Sequence, residues 1–369
     1  MHHLLQINFS FPLYKFGILA FVTAFVVAMI VMPPLIKIIH RFQLFDVPDL
    51  RKEHNTPIPT MGGIAAIAGL LIACAFWFQF SKDSFIVSFF FSIAVLFAIG
   101  IMDDLRNLSA RYKLGIEVAV ALLIAFSGVR ITNFNGLFGI YELPVSAQYT
   151  FTVLTIAGIT NAFNLIDGID GLAGGLGFMS LVILGLFLTM SGDANIGVIA
   201  FALGGGLLGF LYYNFNPARI FMGDTGALVL GFVISVLSIR LVQLNINAPT
   251  PVLVHAPIFA LSIVAIPVFD TLRVFTLRMW NGRSPFSPDK NHIHHLLTNN
   301  GWSHGFAAKL ICGCHAVVLV LGFFLKSVSQ LYGLFVLLGV MLLMVFVFQK
   351  LQIIDGHKKL NSSFSGKSL

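Results

Sequence analysis

One feature constrains this chain above all others: apolar runs of about twenty residues follow one another from end to end. A run of that length is what a helix needs to cross the roughly 30 Å hydrocarbon core of a bilayer. No water reaches backbone amides there, so only helices or a closed barrel can span it. The alternating pattern of barrel strands is absent, which predicts an all-α, polytopic integral membrane protein. Composition agrees, with 57% hydrophobic residues, 10% charged residues and a mean hydropathy of +0.92. We read eleven transmembrane helices, at 16–36, 61–80, 85–102, 113–128, 147–163, 173–190, 195–211, 225–243, 253–273, 307–325 and 331–349. The first run is too long for a signal-peptide core and no convincing cleavage motif follows it, so it is read as a true span. The longest polar interval covers only 276–306, which predicts a single membrane-embedded domain over 1–369 with a short basic tail at 350–369.

Charge gives an orientation. Of the 22 Lys and Arg residues, seventeen fall on the side that follows the first span and five on the other. Positive charge is retained in the cytoplasm, so the N-terminus is expected outside, in the periplasm, and the C-terminus in the cytoplasm. Those cations lie between apolar spans rather than on a soluble domain, so the net charge of +7 does not indicate a nucleic-acid partner. Cys74, Cys312 and Cys314 all fall inside apolar runs and are read as packing residues.

Against this background Asn161-Ala-Phe-Asn-Leu-Ile-Asp-Gly-Ile-Asp-Gly171 stands out, with a polar residue at every third position from Asn161 to Asp170. A carboxylate deep in a bilayer costs about 2.5–3.5 kcal/mol, so acids kept here need a partner or a task. Gly168 and Gly171 predict a helix that ends and opens into a tight polar loop. Other polar stretches map to the same predicted face. Asp103 and Asp104 end the third span, and their directions differ by about 100°, so they cannot do the same thing. One is expected to face an ion or acidic substrate while the other orients a basic partner. Lys113 opens the next span, placed for phosphate binding or for simple anchoring at the interface.

Phe221-Met-Gly-Asp224 precedes another apolar run, where Asp224 is expected to cap the helix, to serve catalysis, or both. Phe221 is a candidate for stacking on a base. Three imidazoles in His292-Ile-His-His295 suggest a soft metal or an anion site, and the oxygen-rich surroundings favour hydrogen bonding to phosphate or sugar oxygens. Arg51 and Lys52, with His54 a weaker candidate, offer phosphate contacts in the first cytoplasmic loop. His304 and His315 are read as incidental. Together the loops describe Mg2+-dependent work on a phosphorylated, membrane-borne substrate, without a P-loop or dinucleotide fingerprint.

In their order, Met102-Asp-Asp104, the Asn161–Gly171 stretch, Phe221–Asp224 and His292–His295 resemble the polyprenyl-phosphate N-acetylhexosamine-1-phosphate transferase superfamily over essentially the whole chain. The undecaprenyl-phosphate GlcNAc-1-phosphate transferases are its most similar branch. The resemblance implies that undecaprenyl phosphate attacks the β-phosphate of a UDP-N-acetylhexosamine, starting O-antigen, enterobacterial common antigen or teichoic acid synthesis. It implies a multi-pass protein of the bacterial cytoplasmic (inner) membrane with its active site facing the cytoplasm, and leaves a homodimer open. It also implies catalytic roles for Asp103, Asp104, Asp167, Asp224 and His294. Lys113, Asn164, Asp170, Phe221, His292, His295, Arg51 and Lys52 would bind substrate. Asp224, Asn164 and Asp167 would hold Mg2+, with Mn2+ able to substitute. Direct displacement is favoured over a covalent intermediate. The alternatives are phospho-MurNAc-pentapeptide transferase, whose three consecutive histidines are here interrupted by Ile293, and a relative using UDP-GalNAc, UDP-QuiNAc or UDP-FucNAc. A cation-coupled transporter is the alternative of another class; it predicts acids near mid-span rather than at one face.

Overall fold

The structure is a computed structural model that describes residues 11–43, 45–46, 58–285, 287, 291–299 and 301–365. Each expected span coincides with a helix: α1 Phe11–Phe42, α2 Gly63–Trp77, α3 Ser84–Arg106, α4 Ala110–Phe126, α5 Val145–Ile166, α6 Leu172–Met190, α7 Ala194–Asn214, α8 Gly223–Asn247, α9 Ala256–Trp280, α11 His304–Leu325 and α12 Gln330–Ser365. The remaining helix, α10 (Ile293–Thr298), is a short turn that carries the histidine motif. Among the described residues nine helices are long and apolar enough to cross a membrane. The exceptions among the eleven are α2, with 15 residues, and α4, with 17. At 1.5 Å per residue those helices reach only about 22 and 25 Å.

Helix ends differ from the expected ones where polar residues do not stop the helix. α1 continues through Pro33–Pro34 to Phe42, and α12 runs beyond Gln349 to Ser365. The chain is also not wholly helical. A ribbon of β1 (Phe45–Asp46) and β2 (Ile58–Pro59) follows α1, and β3 (Asn133–Leu137) pairs with β4 (Ile140–Glu142) in the α4–α5 connection. Both lie in connections, where a two-stranded hairpin satisfies its backbone without crossing the membrane.

The core gathers around α6, α7 and α8, with α1 and α2 packed on α7 and with α3 and α5 packed on α8. Small residues make this closeness possible. A Cβ added at Gly205 would lie 2.1 Å from the carbonyl oxygen of Phe21, and one at Gly206 would lie 2.5 Å from that of Ala66. In a bilayer, where lipid is as apolar as leucine, such close packing is the main attraction between helices. The outward faces stay apolar, with Ile30, Phe91, Phe126, Val317 and Phe324 exposed to what surrounds the bundle.

Candidate active site

The glycines that bring α2 and α3 onto the start of α8 also build the site. A Cβ at Gly63 would lie 2.2 Å from Gly226 Cα, and one at Gly100 would lie 2.4 Å from Thr225 Cα. One turn beyond Gly100, α3 therefore delivers Asp103 and Asp104 directly to the first turn of α8. Asp104 Oδ1 accepts from the backbone N of Asp224 at 2.9 Å; its Oδ2 accepts from the N of Thr225 at 3.1 Å and from the Thr225 hydroxyl. The cap expected from Asp224 is thus supplied by Asp104, from another helix. Gly223 has φ of +72°, and any side chain there would meet Asp104 Oδ2 at 2.6 Å. A left-handed backbone crowded by a carboxylate requires glycine.

Relieved of capping, the Asp224 carboxylate turns to Lys113. The Lys113 ammonium is 2.7 Å from Asp224 Oδ2 and 2.7 Å from Asp103 Oδ2, bridging α3, α4 and α8. Asp103 is buried, and its other oxygen accepts from the backbone N of Leu108. Of the two adjacent aspartates, Asp103 orients a basic partner, as expected of one of them, whereas the other, expected to face an ion or acidic substrate, instead holds the backbone of α8.

The central stretch arrives from α5. That helix ends at Ile166, Asp167 follows as its C-cap, and Gly171, with φ of +77°, begins α6. Asn164 is half-buried on the last turn of α5. Asn214, at the end of α7, locks the loop in place: it accepts from Gly171 N at 2.9 Å and donates to Ile220 O at 2.9 Å. Asp170 is buried, accepts from Asn216 Nδ2 at 2.9 Å and Ala218 N at 3.1 Å, and lies 3.5 Å from His304 Nδ1. Burial alone would raise its pKa, but the hydrogen bonds from His304, Asn216 and Ala218 outweigh it and hold the carboxyl below the usual range. His304 is therefore not incidental; it supports Asp170 across α11, a pairing invisible at that sequence separation. His315 is buried between helices, 3.1 Å from the Ser180 hydroxyl.

Asp167 is different. Among the described residues it has neither a hydrogen bond nor a cation to offset its charge. Burial, followed by the charges of Asp224, Asp104 and Asp170, pushes its pKa up to about 7. Such an excess of hard oxygen donors is what a divalent cation would neutralise, so these residues fit Mg2+. They do not form a finished cage: among the described residues no three His, Cys, Asp or Glu side chains are grouped at metal-ligand spacing. Mg2+ commonly keeps waters and substrate phosphates in its shell, so one or two carboxylates are enough.

The histidine motif closes the site from the other side. His294 packs against the central loop so tightly that a Cβ at Gly168 would lie 2.4 Å from its Nε2. The rings of His292 and His294 are parallel, 5.8 Å apart, and those of His294 and His295 are 4.2 Å apart. Phe221 is half-buried, and its backbone N donates to Pro59 O at 2.8 Å while its carbonyl accepts from Gly62 N at 2.8 Å, so β2 braces the approach to Asp224. Arg51, Lys52 and His54 lie outside the described residues. Two acids escaped sequence reading because each sits within an apolar helix: Asp270, which holds the histidine motif, and Glu117, buried one turn after Lys113. The available signal was a basic residue at helical spacing, Arg273 for Asp270 and Lys113 for Glu117.

Beside these acids a cavity of about 640 Å³ runs between α4, α5, α8 and α9. Its walls are almost entirely apolar, and Leu114, Asn161 and Thr271 place one end next to Lys113, the central stretch and Asp270.

Comparison with known proteins adds an independent line. A sequence model of glycosyl transferase family 4 matches residues 86–242. A Bacillus subtilis protein named as a probable undecaprenyl-phosphate N-acetylglucosaminyl 1-phosphate transferase is 34% identical over 87% of this chain and 88% of its own length. The undecaprenyl-phosphate alpha-N-acetylglucosaminyl 1-phosphate transferase of Escherichia coli K12 is 30% identical over 85% of this chain and 84% of its own length. That of Yersinia pestis is 30% identical over 78% of each.

Proposed function

This chain belongs to glycosyl transferase family 4, and from that premise we propose that it transfers N-acetylglucosamine-1-phosphate from UDP-GlcNAc to undecaprenyl phosphate. An oxygen of the acceptor phosphate attacks the β-phosphorus of the donor, the bond to the UMP oxygen breaks, and undecaprenyl diphosphate-GlcNAc and UMP leave. This opens a lipid-linked cell-surface polysaccharide. The observation that carries the reading is the Lys113 bridge between Asp103 and Asp224, next to an apolar cavity that Leu114 helps to line. A cation held by two carboxylates beside an almost entirely apolar cavity suits a substrate with a phosphate head and a prenyl tail.

Each group then has a physical role. An acceptor phosphate monoester has a second pKa near 6 and is already mostly a dianion at neutral pH, so Asp103 need not be a strong base. Asp103 instead keeps Lys113 aimed at the diphosphate. Asp104 fixes the first turn of α8 and with it the direction of Asp224. Asp224, Asn164 and Asp167 would hold Mg2+, or Mn2+ in its place, which when bound neutralises charge on the diphosphate. Phe221 and Asp170 border the uridine, and His292, His294 and His295 meet the sugar phosphate. No covalent intermediate is needed, because the acceptor carries its own nucleophile.

We extend the proposal to topology. α2 and α4 complete eleven spans, the ends of α3, α5 and α7 that carry the candidate residues face the cytoplasm, and the protein sits in the bacterial inner membrane. The charge distribution of seventeen cations against five supports that orientation. Incubation of the purified protein with undecaprenyl phosphate and a panel of radiolabelled UDP-sugars tests the reaction. Butanol-extractable label from UDP-GlcNAc, matched by UMP release, is expected. Label arising instead from UDP-MurNAc-pentapeptide, or from no sugar nucleotide, would overturn it.

A further inference from the structure

The apolar α9 helix carries an acid for which the transfer chemistry has no direct use. Asp270 is 1% exposed, and its carboxylate is fully engaged. Oδ2 meets His292 Nδ1 at 2.8 Å, while Oδ1 accepts from the backbone N of Ile293 at 3.0 Å and from Arg273 Nη2 at 2.9 Å. Arg273 also donates to the carbonyl of Asn291. The buried carboxylate thus fixes two consecutive residues, His292 and Ile293, and through Arg273 the Asn291 before them, where the chain enters α10. An acid placed this deep is costly unless its bonds are all made. Here they are made, and they converge on the histidine motif.

The geometry decides which imidazole nitrogen a ligand can meet. A carboxylate accepts only, so the short contact commits Nδ1 of His292 to donating. The ring plane is set by the same bond, and Nε2 becomes the nitrogen left to a ligand. The parallel ring of His294 continues the line to Gly168, next to Asp167. We propose that Asp270 is a positioning residue for transfer: it fixes the tautomer and ring plane of His292 so that Nε2 is presented to the sugar diphosphate of the donor. The inference rests on the reading that the histidine motif meets the donor. A purely structural alternative exists, in which Asp270 only pins α10 to α9, and the two make different demands. A pin costs the same whatever residue stands at 292; a positioning carboxylate has nothing to position once the imidazole is gone.

A double-mutant cycle on the full-length protein separates them. Wild type, Asp270→Asn, His292→Gln and the double variant are compared for kcat and KM towards UDP-GlcNAc and undecaprenyl phosphate, with Tm recorded for each. At metal-ligating histidines, loss of the carboxylate that orients the ring costs roughly 10–100-fold, and the same scale is expected at His292. The expected result is a loss of that order in kcat/KM for UDP-GlcNAc in both single variants, no further loss in the double variant, and an unchanged KM for undecaprenyl phosphate. Multiplying losses in the double variant, or wild-type kinetics in Asp270→Asn, overturn the inference. Wild-type kinetics in His292→Gln instead removes the donor-contact reading on which it stands. Should Asp270→Asn fail to fold, 15N NMR of His292 in the wild-type protein decides: a protonated Nδ1 together with an Nε2 resonance that shifts on addition of UDP-GlcNAc supports the assignment, and an unprotonated Nδ1 or an unresponsive Nε2 overturns it.

Discussion

Asp167 stands where α5 gives way to the central loop, and no cation among the described residues offsets its charge. Its neighbours are acids, and burial together with Asp224, Asp104 and Asp170 raises its pKa to about 7 from 3.8. The sign of the consequence follows. In the metal-free protein the folded state holds this proton between about pH 4 and 7 while the unfolded chain has released it, so folding stability falls as pH rises through that window and levels off above it. A bound cation reverses the preference, because it needs the carboxylate. Mg2+ affinity is therefore expected to weaken as pH drops below about 7, approaching tenfold per pH unit if Asp167 alone titrates. Mg2+ titrations of activity at pH 6, 7 and 8 check this, with Asp167→Asn expected to bind Mg2+ weakly and to lose the pH dependence. A wild-type Mg2+ requirement that does not change across that range would remove Asp167 from the cation site.

At the scale of helices, the site depends on crossings rather than on loops. Gly63 and Gly100 let α2 and α3 reach the first turn of α8, and the atoms that an added methyl would meet are backbone atoms, at 2.2 and 2.4 Å. Backbone cannot rotate aside as a side chain can, so the helices must separate. Gly63→Ala and Gly100→Ala are each expected to cost about 1–3 kcal/mol of stability, as overpacked cores do, and to lose activity by moving Asp104 away from the amides it caps. Gly115→Ala is the control: nothing lies within 4 Å of its added Cβ, so both Tm and turnover should hold. Equal losses in all three would mean that the crossings do not set the site. This level was also the least legible in the sequence. Apolar run length revealed the helices because the bilayer imposes that length, and the recurrence of acids at run ends revealed the candidate site. Nothing local to Gly63 or Asp104 announces which distant helix it meets. For the same reason the sequence points to Asp224 for the cap on α8, makes His304 look incidental and leaves Asp270 unmarked. A residue's partner in a bundle is fixed by helix pairing, which periodicity does not encode.

Across the bundle, the charged groups of the candidate site gather at one end, while the opposite end carries a separate ion pair, Arg240–Asp193. The charged bridge of Asp103, Lys113 and Asp224 lies where α3, α4 and α8 converge, and the groove beside it continues away from the acids between α5 and α9. A transporter would need its acids along such a path; here Asn161 and Asn133 are among the few polar residues in an otherwise apolar lining. The arrangement suits a substrate whose two ends differ as these two regions do, and it can be tested at Gly158. This residue lines the groove, and a Cβ added there meets nothing within 4 Å, so a larger side chain enters the cavity without straining the helix. Gly158→Leu should therefore fold normally and obstruct the tail alone. Its kcat/KM for undecaprenyl phosphate is expected to fall by about tenfold or more, the scale on which apolar pockets discriminate shape. KM for UDP-GlcNAc should not change, and a ten-carbon prenyl phosphate should be affected less than the full-length acceptor. Unaltered acceptor kinetics in a folded Gly158→Leu protein would show that the prenyl chain takes another route.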